Sequence, residues 1–295
     1  MRTIPDLARR SFLLASGAAL AGCTINPDRD HVGADAPRDL PLARPVRTAW
    51  VFSSGGPRGF AHVGVLKALE QMGLQPDLIV GASVGALVGS LWAAGMPAAA
   101  METLALELQP ISLARLAMGQ DERLSGAAVA ELVRAHAPVT LLERMPVAMA
   151  CVAARRRDGA AVAFTAGDAG VAVQASAAIE GQFAPVRIRG EQYLDPDWVA
   201  PLPVRIARAL GAQRVLAIDA SVHVDRAPAG AARYRESDLR KKSLIDTDAA
   251  GADLLLKPDF GYWVNMSREF RERAIEAGYR ETLAREPALR ALHRA

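Results

Sequence analysis

Two strand–turn–helix units follow one another between residues 48 and 94, and they constrain the fold more than any other feature of the chain. Thr48 to Ser53 is a short apolar run ending in Gly55-Gly56, the pattern of a strand entering a tight loop. Ala61 to Met72 carries apolar residues at 61, 63, 65, 66, 69 and 72 and stops at Gly73, which predicts a helix with a glycine C-cap. Leu78-Ile79-Val80 predicts a buried strand and Ser83 to Ala94 a second helix, stopped at Gly95. A β-α-β-α succession this tight requires a parallel sheet with crossover helices.

Further elements follow the same logic. Helices are expected over 97–108, 126–135, 168–178, 203–210 and 267–285. Strands are expected over 147–154 and 160–165, joined by Asp158-Gly159 as a hairpin, over 186–194 as a pair around Arg189-Gly190, and over 214–219 and 253–257. Residues 225–243 are polar, Arg-rich and aperiodic and predict a mobile loop. No repeat and no internal boundary divides the body.

Composition excludes several classes. Of 295 residues, 51% are hydrophobic and 23% charged, values of a globular chain. The net charge is +3, and a local +2 sits in residues 1–22 with Arg2, Arg9 and Arg10 against Asp6, so the body is nearly neutral. That balance, with aromatics at 5%, gives no footprint for nucleic acid. Cys23 and Cys151 are the two cysteines, too few for a disulfide framework or a multi-cysteine metal site. The five histidines are scattered without an i, i+4 pair. Neither a metal nor a cofactor is expected.

The N-terminus reads as an address. Arg9-Arg10 closes a charged stretch, Phe12 to Ala21 is apolar, and Leu20-Ala21-Gly22-Cys23 follows. The apolar run is shorter than the roughly 20 residues a spanning helix needs, so it predicts an export signal over 1–22. Arg9-Arg10-Ser11-Phe12-Leu13 resembles a twin-arginine signal, and Leu-Ala-Gly-Cys resembles the lipobox of bacterial lipoproteins. Those resemblances imply cleavage before Cys23 and acylation of it, hence a membrane anchor. By analogy, Thr24 in place of an aspartate points to the periplasmic face of the outer membrane. Residues 23–46, with Pro27, Pro37, Pro41 and Pro45, are expected to be an exposed tether, and 47–295 the folded body. Cys151, in an apolar run, is expected to be a buried core residue.

Gly81-Ala82-Ser83-Val84-Gly85 fits G-x-S-x-G between a strand and a helix. Such a turn holds the serine oxygen out of the sheet edge, and small neighbours, Gly81 and Gly85, let it close. A helix N-cap serine is the plain alternative. Gly55-Gly56-Pro57-Arg58-Gly59 lies upstream, also between strand and helix, where successive N–H groups make an anion nest. It is no dinucleotide fingerprint: Ser54 occupies the first glycine, and Asp77 precedes its strand. No Gly-Lys-Ser/Thr follows, so it is no P-loop. It reads as an oxyanion hole for Ser83, with a plain glycine turn as the alternative.

Ser54 through Lys67 resembles the first block of the patatin-like phospholipases, and the serine pentapeptide stands at that family's spacing. Ser176 through Val186, Tyr193-Leu194-Asp195 and Pro201-Leu202-Pro203-Val204 resemble its third block. The resemblance covers about residues 48–285. It implies an α/β fold, a three-layer α/β/α sandwich with a mostly parallel central sheet. It also implies a serine acyl-ester hydrolase acting on phospholipid or lysophospholipid, with Ser83 as nucleophile, Asp195 as base, and Gly55, Gly56, Arg58 and Gly59 supplying or shaping the oxyanion hole. A thioesterase or small-ester hydrolase, and a lipid-binding protein keeping the fold, are the alternatives. A Ser-Asp dyad needs a carboxyl whose pKa burial has raised. A triad would need His223 or His293 after the acid; the first borders the expected loop and the second an expected frayed end. His62 is expected to pack.

Two departures from the family pattern bear on the site. Asp195-Pro196-Asp197 stands where the family has Asp-Gly-Gly or Asp-Gly-Ala, which makes a reoriented Asp195 one expectation and Asp197 a second candidate acid. If the segment stays extended, both carboxylates face Ser83. Pro57 removes one N–H from the glycine loop.

Overall fold

The computed structural model describes residues 29–107 and 125–294; the signal segment and Cys23 lie outside them. Five parallel strands form the centre of one sheet: β1 (Thr48–Phe52), β2 (Leu78–Ala82), β3 (Ala148–Arg155), β7 (Arg214–Ile218) and β8 (Leu254–Leu256). Antiparallel strands finish one side, β4 (Ala161–Phe164) and the pair β5 (Val186–Ile188) and β6 (Glu191–Leu194). The order is β5-β6-β3-β2-β1-β7-β8, with β4 also on β3. β1 is central, with Val51 opposite Val80 on one side and Ala217 on the other.

β1 and β2 are buried at every residue, as strands covered on both faces must be. Period-two alternation sends Trp50, Phe52, Ile79 and Met149 to one face and Ala49, Val51, Leu78 and Val80 to the other. The first face is covered by α1 (Phe60–Gln71), α2 (Val84–Ala93), α3 (Ala98–Glu107), α4 (Ala127–His136) and α5 (Ala169–Ser176). The second packs on α6 (Val204–Ala209) and, through Ile245, on α7 (Arg235–Ala249). α8 (Arg268–Ala284) lies along α1, and α9 (Glu286–Arg294) ends the described chain. The result is the three-layer sandwich expected from the sequence. Cys151 is fully buried, which raises its thiol pKa.

Three expectations need correction. The exposed tether does not extend over 29–46. His31 and Arg38 make bridges to Ile188 and Ala166, Leu40 N–H donates to Thr165 Oγ1 at 2.8 Å, and Ala36 is buried. Backbone pairing to the β4–β5 edge uses no side-chain periodicity, so prolines and charges concealed it. Residues 225–243 are not a loop: a 3-10 stretch, Ala229–Tyr234, leads into α7. In α7 only Ile245 and Asp248 are buried, so it carries no apolar stripe. Polar contacts hold it instead, Arg205 to Asp248 at 3.0 Å and Lys241 to Asp197 at 2.5 Å. The C-terminus is also not frayed: Leu289 is buried, and His293 Nε2 accepts a 3.0 Å bond from Trp50 Nε1.

Candidate active site

The site forms where β1, β2 and β7 end. β2 runs into a turn in which Ser83 takes φ 54°, ψ −123°, a region a side chain enters only under constraint. The flanking glycines provide that constraint. A Cβ on Gly81 would lie 2.5 Å from Ala86 N, and one on Gly85 would lie 2.4 Å from Phe52 O. Ser83 occupies the N-cap position of α2, yet its side chain makes no capping bond. The helix-cap reading therefore fails, and the hydroxyl is left for other work. Its backbone N–H donates to Ser176 Oγ at 2.8 Å, and that hydroxyl donates to Val152 O at 2.5 Å. Ser176 on α5 thus pins the strained turn to β3.

Asp195 immediately follows β6 and is buried. It lines the same cavity as Ser83, close enough for the serine hydroxyl to lower its pKa. Burial pushes its pKa up to about 7, the Ser83 hydroxyl opposes that, and the like charge of Asp197 adds to it. A base that titrates near neutrality suits proton transfer from a serine.

The proline beside it is accommodated without turning Asp195 away. Pro196 is the first residue of a 3-10 turn, Pro196–Trp198, a position where a missing N–H costs nothing. Asp195 caps that turn by accepting Asp197 N–H at 3.0 Å. The segment is therefore not extended, and the expectation that both carboxylates face Ser83 is corrected. Asp197 accepts instead from Ser54 Oγ and from Lys241 Nζ. It lies beside Asp195 as a paired charge, not as a second partner of the serine.

The glycine loop is a 3-10 turn, Gly56–Gly59, that leads directly into α1, with Pro57 near its start, again where no N–H is needed. A Cβ on Gly59 would lie 2.2 Å from Val84 Cγ2, so the loop presses against the serine turn. Gly56 takes φ +52°. Among the described residues the N–H groups of Gly55 and Gly56 have no protein acceptor, and both glycines line a cavity with Ser83. Arg58 shapes this loop and does not donate from it. Its N–H is taken by Gly55 O at 3.1 Å. Its buried guanidinium bonds Ala220 O at 2.7 Å and Gly261 O at 2.9 Å, with Phe260 4.3 Å beneath it.

No histidine bonds Ser83 or Asp195 among the described residues. His62 is fully buried on Ser53 O at 3.0 Å, and burial pushes its pKa down to about 4. His293 lines the opposite end of the strands with Thr48 and Asp77. No cluster of metal-ligating side chains occurs among the described residues.

Ser83 is shared between two cavities. One, of 470 Å³, is walled by apolar side chains that include Phe60, Val84, Leu87, Leu91, Leu132 and Phe183. The other, of 420 Å³, gathers the charged side chains of Asp195, Asp197, Arg155, Arg156, Glu180 and Lys241 among apolar ones such as Ile179 and Val199. Sequence reasoning missed Ser176, Ser54 and Lys241. A lone serine facing a strand from the apolar helix Ala169–Ser176 was a readable signal for the first; Lys241, in a run of three basic residues, offered none.

The family model for patatin-like phospholipases matches residues 50–208. The chain belongs to that family. An uncharacterized NTE family protein of Mycobacterium bovis is 29% identical over 65% of this chain and 53% of the relative. Lysophospholipase NTE1 of Saccharomyces cerevisiae is 28% identical over 60% of this chain and 11% of the relative. The chain thus spans about half the length of the mycobacterial relative and far less of the yeast one. VipD from Legionella pneumophila superposes with TM-score 0.50 over 85% of this chain and 68% of its own, at 15% identity; that likeness concerns the fold.

Proposed function

We propose that the protein is a lipid acyl hydrolase that cleaves phospholipid or lysophospholipid through a Ser83–Asp195 dyad. The observation that carries this reading is Ser83 standing between an apolar cavity and one that gathers charged side chains, beside a buried carboxyl whose pKa is pushed up to about 7. An ester with one long tail and one polar head fits that division. In the proposed reaction Ser83 Oγ attacks the acyl carbonyl carbon and its proton passes to Asp195. The oxyanion is met by the N–H groups of Gly55 and Gly56, the type of interaction that contributes roughly 3–4 kcal/mol per donor. Collapse breaks the ester bond, and Asp195 returns its proton to the departing alcohol oxygen. Water, deprotonated by Asp195, then attacks the acyl carbon, and the fatty acid departs as Asp195 passes that proton to Ser83 Oγ.

Membership of the patatin-like phospholipase family and similarity to the yeast lysophospholipase support this substrate class. The reading is tested by incubating the purified protein with a mixed phospholipid and lysophospholipid panel and scoring fatty-acid release by mass spectrometry. Release by wild type and none by Ser83→Ala supports it. Hydrolysis confined to thioesters or short soluble esters would replace it with the small-ester reading.

Anchoring and location rest on the sequence alone. The proposal is an acylated Cys23 on a cell-envelope lipoprotein facing the periplasm. Cys23→Ser should abolish the lipid mass on the mature chain; an unchanged mass would refute the anchor.

A further inference from the structure

The described surface exposes seven large hydrophobic side chains, and five of them, Trp198, Tyr234, Leu239, Trp263 and Val264, lie on three segments that frame the two cavities. Trp198 follows Asp195 in the 3-10 turn and lines the cavity that gathers the charged side chains, at 49% exposure. Leu239 stands on α7 between Asp238 and Lys241, which line the same cavity. Trp263 is 50% exposed and stacks edge-on against Tyr234 and Tyr262, at 6.3 and 5.0 Å between centroids. Tyr262 is tied to the site twice, through its carbonyl to Arg58 at 3.2 Å and through its hydroxyl to Asp238 at 2.7 Å. Three residues after Trp263, Met266 lines the apolar cavity. A soluble surface that gathers aromatic and aliphatic side chains at one mouth is marking a contact.

The charges around it lean positive. Residues 225–242 carry six basic side chains and three acidic, and Arg155-Arg156-Arg157 with Asp158 add a net +2. Glu180, Asp195 and Asp197 line the same cavity and offset part of this, so the rim keeps a net charge of +2. Arg233, Arg235 and Arg240 are exposed. Tryptophan and tyrosine ringed by arginine and lysine is the composition of a surface that settles into the headgroup layer of a bilayer, and the positive rim complements anionic headgroups.

We propose that this rim is a membrane-docking face that seats the mouth of the site on an anionic lipid bilayer, with Trp198 and Trp263 entering the interface. The inference rests on reading the site as one that takes lipid. Docking would let an acyl chain pass from the bilayer to Ser83 without crossing water, which removes most of the desolvation cost of extracting it.

The four tryptophans make the test intrinsic. Trp50 and Trp92 are buried together, 5.3 Å apart, no tryptophan precedes Trp50, and the remaining two are those of the rim. Full-length protein carrying Ser83→Ala, which turns over no lipid if the hydrolase reading holds, and Cys23→Ser, so that no acyl anchor contributes, is mixed with phosphatidylglycerol vesicles whose acyl chains are brominated near the headgroup. The expected result is quenched and blue-shifted emission from the rim pair. Trp198→Phe with Trp263→Phe should abolish the quenching while the protein still folds. Arg235→Glu with Arg240→Glu should weaken vesicle affinity by roughly tenfold or more. In the Ser83 enzyme, Trp263→Ser should lower vesicle hydrolysis about tenfold yet leave a monomeric soluble ester within about twofold. Protein that sediments with the vesicles while its emission stays unquenched would overturn the proposal, because another surface then holds the membrane. Failure to bind anionic vesicles at all would overturn it too. Quenching in a protein whose Ser83 form hydrolyses nothing would keep the docking face and reject the hydrolase reading.

Discussion

Asp195→Asn should make the protein more stable as well as inactive, and the gain should depend on pH in one direction. The carboxyl titrates at about 7 in the fold against 3.8 when free, because it is buried. Below pH ~4 both folded and unfolded chains hold the proton, so the group adds no pH dependence. Between about 4 and 7 the unfolded chain has released its proton while the folded chain has not, so stability falls as pH rises. Above 7 both are ionised and the loss is complete. A difference of about three pKa units corresponds to ~4 kcal/mol. An amide of the same shape escapes that loss, since it does not titrate. The assay is chemical unfolding of wild type and Asp195→Asn in buffers from pH 4 to pH 9. The two stabilities should lie close together at pH 4 and diverge by several kcal/mol by pH 8, with the variant the more stable. Parallel curves across the whole range would refute the raised pKa, and with it the argument that Asp195 is a base poised near neutrality.

Other consequences are as direct. Ser176→Ala should cost roughly 2–4 kcal/mol, since it strands the buried Ser83 N–H and Val152 O, and it should lower kcat more than it raises KM; thermal melts and steady-state kinetics check both. Asp197→Asn should move the acidic limb of the kcat/KM profile to lower pH, because the like charge that raises Asp195 is removed. Lys241→Met should move it to higher pH, because the positive charge that lowers Asp195 is removed. Shifts in the same direction would contradict that assignment.

The sequence was most informative where chemistry needs glycine. Gly81 and Gly85 leave no room for a Cβ, so the motif around Ser83 was legible as geometry before any contact was known. The sheet was legible because β1 and β2 are continuous apolar runs. What stayed hidden was held by polar or backbone contacts. Residues 29–46 pair through main-chain groups, α7 is fixed by Lys241 and Arg205, and neither leaves a periodic trace. Asp195-Pro196-Asp197 was legible as a departure but not as an outcome. Whether a proline deflects its neighbour depends on the turn it enters, and here it opens a 3-10 turn that Asp195 itself caps. The family resemblance left open whether Arg58 supplies or shapes an oxyanion hole; its bonds to Ala220, Gly261 and Tyr262 make it a clamp on the loop.

The central claim is that Ser83 becomes acylated with Asp195 as its base. Rapid acid quenching of the protein with lysophospholipid, followed by peptide mass spectrometry, reads that intermediate directly. The account predicts one fatty-acyl mass on the peptide containing Ser83 in wild type, none in Ser83→Ala, and accumulation slowed by orders of magnitude in Asp195→Asn. An acyl mass on another residue, or full turnover by Ser83→Ala, would contradict it.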